Sequence, residues 1–180
     1  GFVASVNRGM REAGSNDVVL LNSDTEVPAG WLPRLAAQAY REKRIASVSP
    51  FSNNATICGY PRIQSSALPF GRTLQEIDAA CRTVNAGRAV ALPTTVGFCM
   101  FIRRAALDAV GLFDEAAFGR GYGEENDFCL RASAKGWQHT LACDVFVYHE
   151  GAVSFASESN ARSAAAMDTL TARYPSYLSE

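Results

Sequence analysis

Three acids stand within four positions, at Glu124, Glu125 and Asp127, directly after glycines at 119, 121 and 123. Carboxylates crowded in this way can take up and return protons, and the glycines allow positive φ and close approach of backbone to a ligand. The pattern that follows, Phe128, Leu130 and Ala134 against Arg131 and Lys135, predicts a helix with the acids in its first turn. Acids there also complement the helix macrodipole without doing chemistry, so this cluster alone leaves both readings open. A second polar turn, Asn22, Ser23, Asp24, Thr25 and Glu26, follows the apolar run Val18, Val19, Leu20, Leu21. In open α/β sheets ligands collect at the carboxyl ends of strands, where an Asp supplies hard oxygen suited to Mg²⁺ or Mn²⁺. The same turn would also serve to cap the helix that starts near Trp31. His149 ends another predicted strand, as a ready metal ligand or as a satisfied structural histidine. The pairing of two acidic turns far apart in the chain argues for chemistry.

What must position these residues reads as alternating helix and strand. Phe2, Val3, Val6 and Met10 fall at helical spacing and end at Gly14, so the chain opens with an amphipathic helix. Residues 17–21, apolar almost throughout, predict a strand buried on both faces, as in a parallel sheet. A helix over 31–42, a short strand over 45–48, a helix over 73–84, a strand over 96–102 and a short helix over 104–110 follow. Residues 50–71 read as a long loop, of a length that is usually functional or mobile. A last strand over 139–148 ends at His149, and a polar, alanine-rich tail predicts a helix near 161–174.

One domain with room for a real core fits 180 residues of which 48% are hydrophobic. A formal charge of −1 without a basic stripe excludes a nucleic-acid footprint. Five cysteines with no Cys-x-x-Cys spacing argue against a zinc knuckle and a disulfide framework, and so for a reducing compartment. No apolar run approaches the roughly 20 residues of a membrane span, and the N-terminus has no signal-peptide pattern. The absence of an initiator methionine points to a fragment or a processed chain.

The ordered series Leu20, Leu21, Asn22, Ser23, Asp24, Thr25, Glu26, Val27; Gly30 and Trp31; Val96 through Ile102; Gly111, Leu112, Phe113, Asp114; the acidic helix start; and Tyr148 with His149 resembles family 2 glycosyltransferases of the GT-A fold. The resemblance implies an α/β, Rossmann-like mixed sheet flanked by helices, with residues 1–156 as a partial glycosyltransferase domain and 157–180 as a helical tail. It implies inverting transfer of a hexosyl or deoxyhexosyl group from a nucleotide-sugar donor to a saccharide or lipid-linked acceptor, with Mn²⁺ or Mg²⁺ as cofactor. By the same analogy the setting is bacterial surface polysaccharide biosynthesis, cytoplasmic and peripheral at the membrane.

Carried over by position, Asp24 matches the retained acid of the family's Asp-x-Asp and binds metal and diphosphate, while Asn22, carried over as a nucleotide-sugar contact, departs from the first Asp. Glu124 and Glu125 align with the family's Glu-Asp pair, which makes Glu125 the first choice for general base, Asp127 the second and Glu124 a further catalytic candidate. His149 matches a position that completes the metal shell. Gly97 and Phe98 lie where the family places a strand bordering the acceptor, with Gly97 and Tyr122 as nucleotide-sugar contacts, and Tyr122 and Trp137 are candidates to stack on sugar faces, against a core reading for each aromatic and for Trp31. Ser52, Asn53 and Asn54 are candidates to bind sugar hydroxyls or simply to make a turn, and Arg120 and Arg131 to pair with phosphate or acids. The family normally begins with a strand-helix-strand unit that this chain lacks, so the chain is expected to be truncated at its N-terminus. A homo-oligomer or a missing segment is then expected to cover exposed sheet. Two rivals stay open: a noncatalytic carbohydrate- or partner-binding relative, and a metal-dependent hydrolase built on Asp24, Glu125 and His149.

Overall fold

The structure, a computed structural model, describes residues 1–63, 65, 67–119, 121–151 and 156–177, the side chains of 156–161 excepted. Its elements run α1 (Phe2–Glu12), β1 (Val18–Leu21), β2 (Thr25–Glu26), α2 (Trp31–Ala39), β3 (Ile45–Ser52), α3 (Leu74–Val84), β4 (Ala89–Leu92), β5 (Cys99–Ile102), α4 (Arg104–Val110), α5 (Glu115–Phe118), α6 (Glu124–Ser133), β6 (Gln138–His149) and α7 (Ala156–Arg173). The strands form a mixed sheet in the order β1-β5-β3-β6-β2, with β4 added against β6. β3 and β6 run parallel at its centre, and every other pairing is antiparallel.

The alternation of side chains along β5 shows how the layers form. Met100 and Ile102 face one core with Val3 and Met10 of α1, Leu107 of α4, Phe118 of α5, Phe128 of α6 and Leu170 of α7. Cys99 and Phe101 face the opposite core with Leu35 and Ala39 of α2 and with Val48 and Val145 of the central strands. The sheet is thereby covered on both faces. The tail helix α7 is part of this packing, through Ala166 and Leu170. A third cluster sets Leu74, Ile77 and Cys81 of α3 on Phe146, and Thr73 starts α3 with a capping box to Glu76.

Three expectations change. β1 is antiparallel to β5 and stands at the end of the strand order, so its residues are half-buried and Leu21 is 43% exposed. Its apolar run still packs on both faces, Val18 and Leu20 toward one core and Val19 toward the other, but among the described residues it pairs with β5 alone and antiparallel, so it is not the parallel interior strand expected. β3 runs on through Ser52, into what reads as loop, because parallel pairing with β6 resumes beyond an irregularity at Pro50/Phe51. That extension carries the chain to the end of β6, where Asn53 meets His149. β4 had no signal of its own, being four residues and half exposed. Among the described residues no helix is long and apolar enough to cross a membrane.

Candidate active site

At the end of β1 the chain turns back on itself: Thr25 Oγ1 donates to the Asn22 carbonyl at 2.7 Å, and Thr25 and Glu26 then pair with His149 and Tyr148 as β2 against β6. This short ladder brings two strand ends together that lie more than 120 positions apart. Asp24 is held at the tip, its carbonyl accepting from Glu150 N at 3.0 Å and its Oδ2 from Gly151 N at 3.2 Å. His149 Nε2 lies 3.4 Å from Asp24 Oδ2 and 3.4 Å from Asn22 Nδ2.

The tautomer of His149 follows from its other nitrogen. Nδ1 lies 2.7 Å from the Asn54 carbonyl oxygen, which only accepts, so Nδ1 carries a hydrogen, and in the neutral tautomer Nε2 presents a lone pair toward Asp24. A backbone carbonyl that orients the far nitrogen in this way is the usual support of a metal-binding imidazole. Asn53, fully buried, grips the same residue by its backbone: its Nδ2 donates to His149 O and its Oδ1 accepts from His149 N, both at 2.9 Å. The amide of Asn54 donates to Glu150 O at 2.9 Å. The expectation that Asn53 binds sugar hydroxyls is therefore corrected, since its amide is spent on positioning the end of β6, whereas the amide of Asn54 gives that strand end a single hydrogen bond. Phe98 stacks on the imidazole at 5.1 Å between centroids.

The acidic turn sits at the start of α6. Gly121, Tyr122 and Gly123 all have positive φ, and at Gly123 a side chain would also meet the Phe118 ring at 3.0 Å and Ala166 at 3.2 Å. Glycine is required there for space as well as conformation. Tyr122 is 41% exposed and free to meet a ligand. Glu124 is buried, and Glu125 is half-buried as a residue while its Oε2 is enclosed. Neither Glu124 Oε2 nor Glu125 Oε2 has a hydrogen-bond partner among the described residues. Burial raises both carboxyls above their ordinary range; the neighbouring charge of Glu125 adds to the effect on Glu124, and backbone N–H groups of Glu125 and Gly123 pull Glu125 partly back.

The two halves meet across two adjacent residues. A Cβ at Gly97 would stand 3.7 Å from the Glu125 carboxyl carbon. The next residue, Phe98, stacks on His149 and accepts Asn22 N–H at its carbonyl at 2.9 Å. The pair Gly97 and Phe98, read from sequence only as a strand bordering the ligand, is thus the hinge on which carboxylate and histidine converge.

Asp127 does not join them. It is 0% exposed, with Oδ2 taken by Arg131 at 2.7 Å and Oδ1 by Arg173 at 3.0 Å and the Tyr174 hydroxyl at 2.9 Å. A carboxylate with both oxygens committed to guanidinium groups and a phenol ties α6 to α7, and the expectation of Asp127 as a second base is corrected on that ground. Arg131 also donates to the Val110 and Leu112 carbonyls, so it is structural. Trp137 is buried in the core under Arg44 and Arg103, so it is not a sugar platform, and Trp31, the first residue of α2, is half-buried against the second core. Arg120 lies outside the described residues.

Among the described residues no group of three or more His, Cys, Asp or Glu is placed to hold a metal. Asp24 and the lone pair of His149 offer two ligands, which fits a Mg²⁺ or Mn²⁺ site that takes its remaining oxygens from substrate phosphate and water. The five cysteines are free and buried, and burial pushes Cys58 and Cys99 up to about 12, so none is a thiolate.

An open mixed sheet between helical layers, with a polar turn and a histidine gathered at its strand ends, defines a GT-A-type domain. The chain belongs to the glycosyltransferase-like family 2, whose family model matches residues 1–170. Among solved structures it is similar to the crystal structure of GalNAc-T7 with UDP, GalNAc and Mn²⁺, at 18% identity and a TM-score of 0.59. That match covers 83% of this chain and 30% of the other, so the chain spans about a third of the length of that protein. Comparison with curated proteins finds no significant match.

Proposed function

We propose that the chain transfers a sugar from a nucleoside diphosphate donor to an acceptor hydroxyl with inversion. The observation that carries this reading is the convergence on Gly97 and Phe98 of a carboxylate with an unpartnered oxygen and a histidine lone pair beside Asp24. Asp24 and His149 would hold a divalent cation, which supplies positive charge against the negative charge growing on the departing diphosphate. Asn22, whose amide faces His149 Nε2, is a neighbour of that site and not a ligand. Glu125 takes the proton of the acceptor hydroxyl as its oxygen bonds to the anomeric carbon; the bond from that carbon to the diphosphate oxygen breaks, and its electron pair leaves with the nucleotide. A raised carboxyl is the stronger base for this step, and Glu124 lies beside it with its own carboxyl raised by burial and by the charge of Glu125. Gly97 leaves room over the carboxylate, and exposed Tyr122 meets the sugar or the acceptor.

GalNAc-T7 was solved with UDP and Mn²⁺, which makes UDP the first nucleotide to try here. The test is calorimetric titration of the chain with UDP, GDP and dTDP, each with and without Mn²⁺, beside Asp24→Ala. Metal-dependent binding that the variant loses is expected. Binding of a saccharide with no dependence on nucleotide or metal would instead favour a noncatalytic relative, and release of sugar with no acceptor present would favour a hydrolase.

A further inference from the structure

Behind the acids lies a group of buried polar side chains that the reaction above does not use. Ser47 of β3, Thr95 ahead of β5, Cys129 of α6 and His139 of β6 are each at most 1% exposed. His139 Nε2 lies 3.0 Å from the Cys129 carbonyl, which only accepts, so Nε2 bears the hydrogen and Nδ1 is an acceptor. Ser47 Oγ, 2.7 Å from Nδ1, must then donate to it. That leaves Ser47 Oγ to accept from the Thr95 hydroxyl at 2.7 Å, and Thr95 Oγ1 to accept from the Cys129 thiol at 3.4 Å. The chain of donors closes on itself, from the side chain of Cys129 round to its own carbonyl. Burial keeps both titratable members neutral, lowering His139 to about 4 and raising the Cys129 thiol to about 11, so the direction of the ring does not reverse near neutral pH.

Cys129 follows Glu125 by four positions, on the same face of α6. Thr95 stands two residues before Gly97, over which the Glu125 carboxyl lies. Ser49 of β3 reinforces this grip, accepting from Val96 N at 3.1 Å and donating to Cys99 O at 2.9 Å. We propose that Ser47, Thr95, Cys129 and His139 are positioning residues that lock the helix carrying Glu125 against the segment carrying Gly97, and so set where the general base stands. The inference rests on the transferase reading. A fully satisfied buried network specifies one arrangement of the elements it joins, and here it joins the two on which proton transfer depends.

Thr95→Val removes the hydroxyl at nearly constant volume, and Thr95→Ser keeps it. The expected result is a fall in kcat of about tenfold or more for Thr95→Val with KM for the donor within about twofold, and recovery to within about threefold in Thr95→Ser. Unchanged kcat in Thr95→Val, or failure of Thr95→Ser to recover it, overturns the proposal. Should Thr95→Val not fold, the wild-type protein decides through the ¹⁵N spectrum of its two imidazoles. His139 is expected neutral at pH 6 with its hydrogen on Nε2, and His149 with its hydrogen on Nδ1 when neutral. A hydrogen on Nδ1 of His139 overturns the ring. Should the wild type transfer no sugar, the transferase reading fails and the ring is judged by the ¹³C signal of the Glu125 carboxyl. That signal is expected to move in Thr95→Val and return in Thr95→Ser; no movement overturns the positioning role.

Discussion

Removing the Asn53 amide tests how far the site depends on residues that never touch a ligand. In the fold Asn53 donates to Ser65 O at 2.8 Å and to His149 O at 2.9 Å, and accepts from His149 N at 2.9 Å. Asn53→Ala deletes all three bonds at a position with no solvent exposure, stranding the N–H and carbonyl of His149. At about 1 kcal/mol per bond, and somewhat more for groups left unpaired, the loss is about 2–4 kcal/mol. For a chain of 180 residues this lowers Tm by on the order of 10 °C. The local effect falls on the imidazole, whose Nε2 now stands 3.4 Å from Asp24 Oδ2. Supports of this kind typically change metal affinity by 10–100-fold, about 1.4–2.7 kcal/mol. Asn54→Ala is the control, because the carbonyl that takes the His149 Nδ1 hydrogen belongs to its backbone and survives the change. Mn²⁺ titration by calorimetry at saturating UDP, with a thermal melt of each protein, reads both effects. Affinity for Mn²⁺ within about twofold of wild type in Asn53→Ala, or an equal loss in Asn54→Ala, would refute the assignment of Asn53 as the clamp on His149.

Two other outcomes follow from the buried charges. Asp127→Ala removes the acid between Arg131, Arg173 and Tyr174, but Arg173 keeps Asp114 and Arg131 keeps two carbonyls, so a loss of about 2–3 kcal/mol in urea unfolding is expected, while folded protein retains metal-dependent nucleotide binding. Acid should weaken the fold through His139: the unfolded chain protonates it below its ordinary 6.5, the folded one only below about 4, so within that window the unfolded state holds more protons and stability falls as pH falls. The full difference corresponds to roughly 3 kcal/mol. Glu124 and Glu125 act in the opposite sense, since carboxyls raised by folding stabilise the fold as they take up protons. Urea unfolding of wild type and His139→Gln at several pH values separates the two, and the gap between the proteins is expected to narrow as pH drops from 6.5 to 4; a constant gap would contradict a neutral, buried His139.

Local signals carried a good part of the fold and of the site. Helical spacing of apolar residues located α1, α3 and α6, the glycines at 121 and 123 marked the turn before the acids, and the apolar runs ending at Asn22 and His149 marked two strand ends. These features are settled by neighbours within a few positions, where spacing, φ and capping act directly, so composition and pattern alone determined them together with the family they resemble. Partnership across the chain was decided only by the tertiary structure. That β1 pairs antiparallel with β5 alone among the described residues, that Asn53 spends its amide on a residue 96 positions away, that Asp127 faces Arg173 instead of the reaction, and that Gly97 and Phe98 join Glu125 to His149 all depend on which elements the sheet makes adjacent. A carboxylate or an amide has the same local signature whether it is solvated, paired or aimed at a substrate. Its role is set by the burial and the hydrogen-bond partners it meets after packing, and those belong to distant residues.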